Sequence, residues 1–98
     1  MADTPEKKVK QRVKKILDEM GIYHFSPYQA GMGRAGIPDI IGCYRGLFVA
    51  IECKAGKGKT TALQDREINA IRTAKGLAFV INEENVDQLK ELLQWTKN

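Results

Sequence analysis

The sequence predicts an α/β domain in which helices flank a mixed β-sheet, with the element order α-β-β-β-α-β-α. Three observations predict this class. A long amphipathic helical pattern opens the chain, two apolar β-rich runs meet at Arg45-Gly46, and a helix, a strand and a helix follow. The 98 residues, 43% of them hydrophobic, suit one domain over residues 1–98 built on a single core.

The first helix is predicted from its start signals and its apolar stripe. Thr4 can cap it, Pro5 suits the first helical position, and Gly21 ends it. The inward stripe consists of Val9, Val13, Ile16, Leu17 and Met20. Glu6 stands three residues before Val9, which places an acid on the inward side, whereas the basic residues lie mostly elsewhere. Glu6 is either a site residue or an acid favoured by the helix dipole.

Residues 22–37 are predicted to form a short strand, Ile22 to Phe25, and then a loop. The loop contains Arg34 and three glycines, namely Gly31, Gly33 and Gly36. Glycines let backbone amides approach phosphates closely, and an arginine can clamp a phosphate. This pattern indicates a substrate-contacting loop, although a flexible connection fits it equally well. His24 is expected to be structural or to contact DNA rather than bind metal.

The hairpin that follows carries the most informative residues. If Arg45 and Gly46 are the two central residues of a tight turn, Asp39 lies opposite Glu52 on one face of the sheet. Opposed side chains have Cβ atoms roughly 5 Å apart, so two like charges there are destabilising. Lys54 projects on the same face as Glu52, about 6.6 Å further along the strand. Two carboxylates and an amine therefore converge.

A hard divalent cation explains these charges best, because Mg²⁺ takes oxygen ligands and is held by one or two carboxylates near substrate phosphate. Lys54 would then orient the nucleophile or stabilise the extra negative charge on phosphorus in the transition state. The pattern indicates phosphodiester hydrolysis. The alternative is a strand cap at Asp39 and an exposed Glu52–Lys54 ion pair. The apolar run from 47 to 51 argues against it, because such a run is typical of a strand buried on both faces.

The segment after Lys54 is predicted to be a basic turn in which Lys57 and Lys59 contact backbone phosphates. It is not a nucleotide-binding loop, since that motif requires glycine at the position of Cys53. Thr61 then begins a helix, and Gln64 completes a capping box that is compatible with a role in the site. The predicted inward residues are Leu63, Ile68, Ile71 and Ala74, with Gln64 inside that arc, Glu67 near it and Arg66 outside it.

The remaining elements are a strand and a helix. Gly76 is predicted to end the preceding helix, residues 77–81 form the strand, and residues 82–95 form an amphipathic helix. Its inward residues are Val86, Leu89, Leu92 and Leu93, and Trp95 is expected to pack rather than bind. Cys43 and Cys53 are not opposed in the hairpin register, so neither a disulfide nor a zinc site is expected.

These motifs together resemble the virus-type replication-repair nuclease (VRR-NUC) family, in its stand-alone form, a branch of the PD-(D/E)XK phosphodiesterases. The resemblance rests on Gly36-Ile37-Pro38-Asp39, on Ile51-Glu52-Cys53-Lys54, on Gln64 opening a helix, and on Gly76 before a strand. Many relatives carry a β-branched residue where this chain has Cys53. The resemblance implies a restriction-endonuclease-like core with Mg²⁺ or Mn²⁺ held by Asp39, Glu52 and the Cys53 carbonyl. It also implies that Lys54 and Gln64 act in catalysis and that an acid of the first helix, here Glu6, attends the metal directly or through water.

Charge and size indicate the partners. The net charge of +4 favours a polyanion, and the predicted DNA contacts are Lys10, Arg34, Lys57, Lys59 and Arg66. Charge for solubility alone would give the same composition. A small domain gains surface by forming a two-fold homodimer, and the resemblance implies branched DNA such as Holliday junctions or flaps. With no long apolar segment or signal-like start, no membrane partner and a cytoplasmic location are expected.

Three hypotheses of function remain open from the sequence. The first is a structure-selective endonuclease of replication, recombination or repair. The second is a nuclease of the same chemistry with a different substrate, which would need base-reading elements or a grip on strand ends. The third is a non-catalytic DNA- or junction-binding protein, which would leave the opposed acids unexplained.

Overall fold

The computed structural model describes residues 3–28 and 33–96. The helices and strands are α1 (Pro5–Glu19), β1 (Tyr23–Phe25), β2 (Ile40–Tyr44), β3 (Leu47–Cys53), α2 (Ala62–Thr73), β4 (Leu77–Ile81), a short 3₁₀ helix (Val86–Gln88) and α3 (Leu89–Gln94). The predicted α/β class and element order are confirmed. Within the described residues, no helix combines the length and the apolar character needed to span a membrane.

The sheet is mixed, with strand order β1-β2-β3-β4. The first three strands are antiparallel, and β4 runs parallel to β3. Tyr44 pairs with Leu47 and Cys43 with Phe48, as the hairpin prediction requires. Arg45 (φ 54°) and Gly46 (φ 82°) are both left-handed, the backbone conformation that suits a two-residue hairpin turn. Both cysteines are free, as expected.

The two faces of the sheet are covered unequally. The larger core lies between the sheet and the helices α1 and α3, and it includes Leu17, Ile51, Ile81, Leu89 and Leu93. On the other face, α2 packs through Ile68 on a small cluster of Ala50 and Ala78. Side chains at alternate positions along β3 therefore point to α1 and α3 or to α2. Glu52 shares the α2 face with Ala50.

Helix α1 forms as predicted except at its first turn. Thr4 caps it, because its Oγ1 accepts a hydrogen bond from the Lys7 amide at 3.1 Å, and Val9, Val13 and Leu17 are buried. Glu6 is exposed, so its predicted inward placement is wrong. The core covers the stripe only from Val9 onward, which leaves the acid of the first turn in solvent.

Helix α2 contacts the sheet through its middle, and this corrects its predicted inward face. Ile68 is buried and Ile71 half-buried, but Leu63 is 46% exposed and Ala74 is exposed. Leu63 and Ala74 lie at opposite ends of the helix, beyond the small cluster that the middle of the helix covers. Glu67 is buried in their place, with 7% of its surface exposed.

The end of α2 is formed by Lys75 rather than by Gly76. Lys75 adopts the left-handed conformation (φ 72°), and its amide donates to the Arg72 carbonyl. The Gly76 amide donates to the Ile71 carbonyl, which completes a Schellman motif. Gly76 is needed for space, because a Cβ there would lie 2.9 Å from Ile71 Cγ2.

The last helical segment begins later than predicted. Asn82 Oδ1 accepts from the amides of Glu84 and Asn85, and Asn85 Oδ1 accepts from the Asn82 amide. Such bonds compete with helix formation, so residues 82–85 form a turn before the 3₁₀ helix. Leu92 (41% exposed) and Trp95 (83% exposed) lie at the surface, contrary to the predicted packing roles.

Candidate active site

Asp39 and Glu52 meet at one end of the hairpin. Ile40 pairs with Ile51, so the next opposed positions are Asp39 and Glu52. Asp39 Oδ2 accepts a hydrogen bond from the Cys53 amide at 2.8 Å, which ties the residue before β2 to the end of β3. Glu52 is only 3% exposed. The predicted opposition of the two acids is therefore present in the fold.

The carboxylate of Glu52 has one satisfied and one unsatisfied oxygen. Its Oε2 accepts from Gln64 Nε2 at 3.0 Å and lies 3.3 Å from Lys54 Nζ. Its Oε1 is buried and has no hydrogen-bond partner among the described residues. Burial, followed by the negative charge of Asp39, raises the pKa of Glu52 to about 7 even though Lys54 opposes the shift. This oxygen needs a proton or a cation.

Two lysines approach the acid pair from different elements. Lys54 follows β3, where its amide donates to the Ile81 carbonyl, and its side chain is 14% exposed. Lys10 comes from α1, and its Nζ lies 3.7 Å from Asp39 Oδ1. The sequence predicted Lys10 as a DNA contact rather than as a neighbour of Asp39. Its position one turn after Glu6, on the same side of α1, was the available signal.

Gln64 joins helix α2 to Glu52. The predicted capping box is present, since Gln64 Oε1 accepts from the Thr61 amide at 2.9 Å and Thr61 Oγ1 accepts from the Gln64 amide at 3.2 Å. The remaining polar group, Nε2, donates to Glu52. The start of α2 thus orients one oxygen of Glu52 and leaves the other for a ligand.

The donor set suits a hard divalent cation. Asp39, Glu52 and the Cys53 carbonyl are all oxygen donors, and Glu52 Oε1 is a buried acceptor without a partner. Within residues 3–28 and 33–96, no group of three or more histidine, cysteine, aspartate and glutamate side chains gathers. A metal would therefore depend on two carboxylates and a backbone carbonyl. Burial raises the pKa of the Cys53 thiol to about 12, so the sulfur stays protonated.

A second cluster of charges lies just before Asp39, and the sequence analysis did not predict its ion pairs. Arg34 Nε donates to Glu67 Oε1 at 2.7 Å, and Arg66 Nε lies 3.4 Å from Glu67 Oε2. Arg66 also donates to the Ala35 carbonyl at 3.5 Å. Arg34 and Arg66, both predicted DNA contacts, thus fasten the loop before Asp39 to α2. The sequence analysis placed Glu67 near the inward arc of α2, and the structure buries it.

Other predicted site residues lie at the surface. Lys57 and Lys59 are exposed in the turn after β3, where the Gly56 amide donates to Glu83. His24 Nε2 lies 2.6 Å from Asp18 Oδ1, which agrees with a structural role. Glu6 forms no ion pair with another described residue, although its charge contributes to raising the pKa of Cys53. Gly31 falls outside the described residues.

Comparison with known proteins supports the fold. The chain matches no protein-family model and no curated protein sequence. Its fold is similar to the solved structure of a VRR_NUC domain protein, with a TM-score of 0.64 and 21% identity. The match covers 96% of this chain and 88% of that chain. The core is therefore VRR-NUC-like in fold, in agreement with the resemblance of the motifs.

Proposed function

We propose that this protein is a metal-dependent, structure-selective DNA endonuclease that hydrolyses phosphodiester bonds of branched DNA, such as Holliday junctions or flaps. The observation that carries the proposal is the buried Glu52 opposite Asp39, with an acceptor oxygen that no described group satisfies. Burying Glu52 beside a second, half-buried acid is costly unless a cation joins them. The similarity in fold to a VRR_NUC domain protein supports the same conclusion.

Asp39, Glu52 and the Cys53 carbonyl would hold Mg²⁺ or Mn²⁺, with Glu6 as a further acid reached through water. Such an ion supplies Lewis acidity and neutralises charge on the phosphate. Oxygen ligands favour these two ions over zinc, which prefers nitrogen and sulfur. Glu6 is exposed at the start of α1, so only a mediated contact suits it.

The chain's own residues perform the remaining tasks. Lys54 Nζ, 3.3 Å from Glu52 Oε2, is available to hold the attacking water or to donate to a phosphate oxygen as negative charge develops. Gln64 keeps Glu52 in place through a single hydrogen bond of 3.0 Å. Lys10, near Asp39, adds positive charge on the side of α1. Gln64 and Lys54 both approach Glu52 Oε2, whereas Lys10 approaches Asp39 Oδ1.

Substrate binding would rest on exposed basic residues and on a second subunit. Lys57 and Lys59 flank the site in an exposed turn and would contact backbone phosphates, as would Arg34, Arg66 and Lys10. A two-fold homodimer would present two sites to a junction, and light scattering is expected to give twice the chain mass of 11.0 kDa. The proposed setting is DNA replication, recombination or repair in the cytoplasm.

The proposal is tested by cleavage of end-labelled four-way junction, flap, single-stranded and duplex DNA, with and without Mg²⁺ or Mn²⁺. Metal-dependent cutting of branched DNA is expected, with symmetric cuts if the dimer acts on a junction. Glu52→Gln should abolish cutting and leave DNA binding nearly unchanged, because the acid holds metal rather than DNA. Glu84→Gln, which neutralises an exposed acid in the turn after β4, is the matched control.

Two outcomes would contradict the proposal. Cutting that persists in a chelator would remove the metal role of the acid pair. Tight binding of branched DNA without any cutting, equal in the wild type and in Glu52→Gln, would identify a non-catalytic junction-binding protein instead.

A further inference from the structure

An open groove lies between helix α2 and the outer part of the sheet. It has a volume of about 410 Å³, and its apolar lining includes Ile37, Pro38, Ile41, Phe48, Ala70 and Ile71. We call it the α2–sheet groove. Ile37 and Pro38 immediately precede Asp39, so the groove begins beside the acid pair.

The register of the strands places the groove on the catalytic face of the sheet. Ile41 pairs with Ala50, and Asp39 and Glu52 are the opposed residues two positions further along the two strands. Two strand residues span about 7 Å. This distance corresponds to about two nucleotides at the stacked rise of 3.4 Å. A DNA strand with one phosphate at Asp39 and Glu52 therefore has the neighbouring bases at the α2–sheet groove.

Aromatic side chains line the open side of this face. Phe48 is 46% exposed although it occupies a central strand, β3. In the edge strand β1, which β2 separates from β3, Phe25 (48% exposed) and Tyr23 (70% exposed) lie on the same face, with ring centroids 6.2 Å apart. The predicted burial of β3 on both faces is thus wrong at Phe48. Exposed rings on a sheet are a platform on which bases stack.

The charges around the groove favour a nucleic acid over an apolar protein segment. Arg34 lines the groove, and the exposed Lys75 immediately precedes the lining residue Gly76. Glu67 is the acid in its wall, and Arg34 and Arg66 neutralise it. An apolar floor with basic residues at its border complements an unpaired nucleotide, which has flat apolar faces and negative phosphates on both sides.

We propose that the α2–sheet groove binds an unpaired nucleobase of the substrate strand, beside the phosphate that Asp39 and Glu52 address, with Phe48 as the stacking ring. The inference rests on the proposed function, because only a nuclease would place a scissile phosphate beside the bound base. It supplies a physical basis for preferring branched DNA, because bases in an intact duplex are already stacked and must be extruded at a cost of a few kcal/mol.

The test separates the base from the phosphates. Fluorescence anisotropy in a chelator, where nothing is cleaved, measures the affinity of the wild-type chain for three labelled probes. The probes are a plain duplex, the duplex with a single-stranded flap, and the same flap built of abasic sugar-phosphate units. Phe48→Ala removes the ring, Phe48→Tyr keeps it, and Ala70→Leu fills the groove from an exposed position of α2. Leu92→Ala is the control, because Leu92 is exposed to a similar degree but belongs to α3.

The wild type should bind the normal flap more tightly than the abasic flap by about 5- to 30-fold, the effect of stacking one base. Phe48→Ala and Ala70→Leu should lose this preference and bind the duplex as before. Phe48→Tyr and Leu92→Ala should keep the preference. Circular dichroism confirms that each variant is folded, and Ala70→Leu tests the groove without removing a core side chain.

Several results would overturn the inference. Equal affinity of the wild type for the two flaps would do so, as would an unchanged preference in both Phe48→Ala and Ala70→Leu. A fall in mass by light scattering for Phe48→Ala, with the flap preference intact, would show that a second copy of the chain covers the groove. Cleavage assays distinguish the two proposals. Metal-dependent cutting without a base preference would reject base binding in the groove and leave the proposed nuclease function standing. A base preference without cutting would reject the nuclease function and leave base binding standing.

Discussion

Glu52 combines deep burial with a carboxylate oxygen that no described donor reaches. Its nearest charges are a second acid and the amine of Lys54, and its pKa stands at about 7. Protonation of Glu52 therefore stabilises the site when no cation is bound, and the proposed metal ion would replace that proton. Because a proton and a metal ion would compete for Glu52, the free energy of unfolding should depend on both pH and metal concentration.

Glu52→Gln should change how stability depends on pH when metal is absent. A pKa raised from 4.5 to about 7 means that the folded state binds the proton more tightly than the unfolded chain. This stabilisation is fully present below about pH 4.5 and is lost as the pH rises through about 7, on the order of 3 kcal/mol at most. In a chelator, the variant should therefore gain stability relative to the wild type between pH 5 and pH 8.

Urea unfolding at several pH values measures this difference. Adding Mg²⁺ or Mn²⁺ at pH 8 should restore the stability of the wild type and stabilise the variant much less, because the variant has lost one of its two carboxylate ligands. Glu84→Gln provides the reference for removing an exposed acid. Parallel pH profiles for the wild type and Glu52→Gln would show that Glu52 titrates normally.

At the scale of elements, the beginning and the end of α2 have different tasks. Its beginning serves the site, because Gln64 both closes the capping box and donates to Glu52. Its end serves the fold, because Lys75 and Gly76 turn the chain into β4. Separate substitutions can therefore change activity and stability independently.

Gln64→Ala and Thr61→Ala should separate the cap from the site. Each removes part of the capping box and should lower the free energy of unfolding by about 1 kcal/mol. Only Gln64→Ala also removes the donor to Glu52, so it should lower metal affinity or activity by about 10- to 100-fold. Calorimetric metal titration and cleavage rates measure the effect. An equal loss in Thr61→Ala would attribute the whole effect to the helix cap.

Lys75→Gly should stabilise the protein by about 1 kcal/mol. A residue with a Cβ pays roughly this amount in the left-handed conformation, and Lys75 has φ 72°. Ala70→Gly, inside the same helix, should destabilise by about the same amount, since glycine is the poorer helix former there. Thermal unfolding compares the two variants. A loss of stability in Lys75→Gly would mean that the lysine side chain makes contacts that outweigh its backbone cost.

At the scale of the whole molecule, charge and symmetry determine how a small domain grips a large polyanion. The basic turn directly follows Lys54, whereas Lys14 and Lys15 lie in the second half of α1, beyond Lys10, which approaches Asp39. DNA held for cleavage should therefore release counterions chiefly from the turn.

The double substitution of Lys57 and Lys59 by alanine should weaken the binding of all DNA probes to a similar degree. It should also reduce the slope of log affinity against log salt by about 2, because each phosphate contact contributes about 0.9. Replacing Lys14 and Lys15 on α1 removes the same charge and should change the slope less. Binding isotherms at several salt concentrations measure both. Equal slopes for the two double variants would mean that overall charge, not the turn, determines affinity.

The sequence by itself determined the hairpin, its register and the opposition of Asp39 and Glu52. A two-residue turn fixes the pairing of the two strands that it joins, and side chains alternate between the faces of each strand. The register counted from the turn is therefore valid wherever the hairpin lies in the fold. The same holds for the caps at Thr4 and Thr61, whose partners are three residues away. The element order followed from these local signals, and the similarity in fold to a VRR_NUC domain protein agrees with it.

Only the tertiary structure decided which residues of each helical stripe are covered. Glu6 and Leu63 are exposed while Glu67 is buried, since burial depends on where a helix crosses the sheet and not on its periodicity. The approach of Lys10 to Asp39 joins residues 10 and 39, which no local pattern connects. Phe48 is 46% exposed for the same reason, because α2 covers Ala50 of the same strand through Ile68 and leaves Phe48 partly open. The local hairpin register placed Asp39 opposite Glu52, and long-range packing determined which residues surround them.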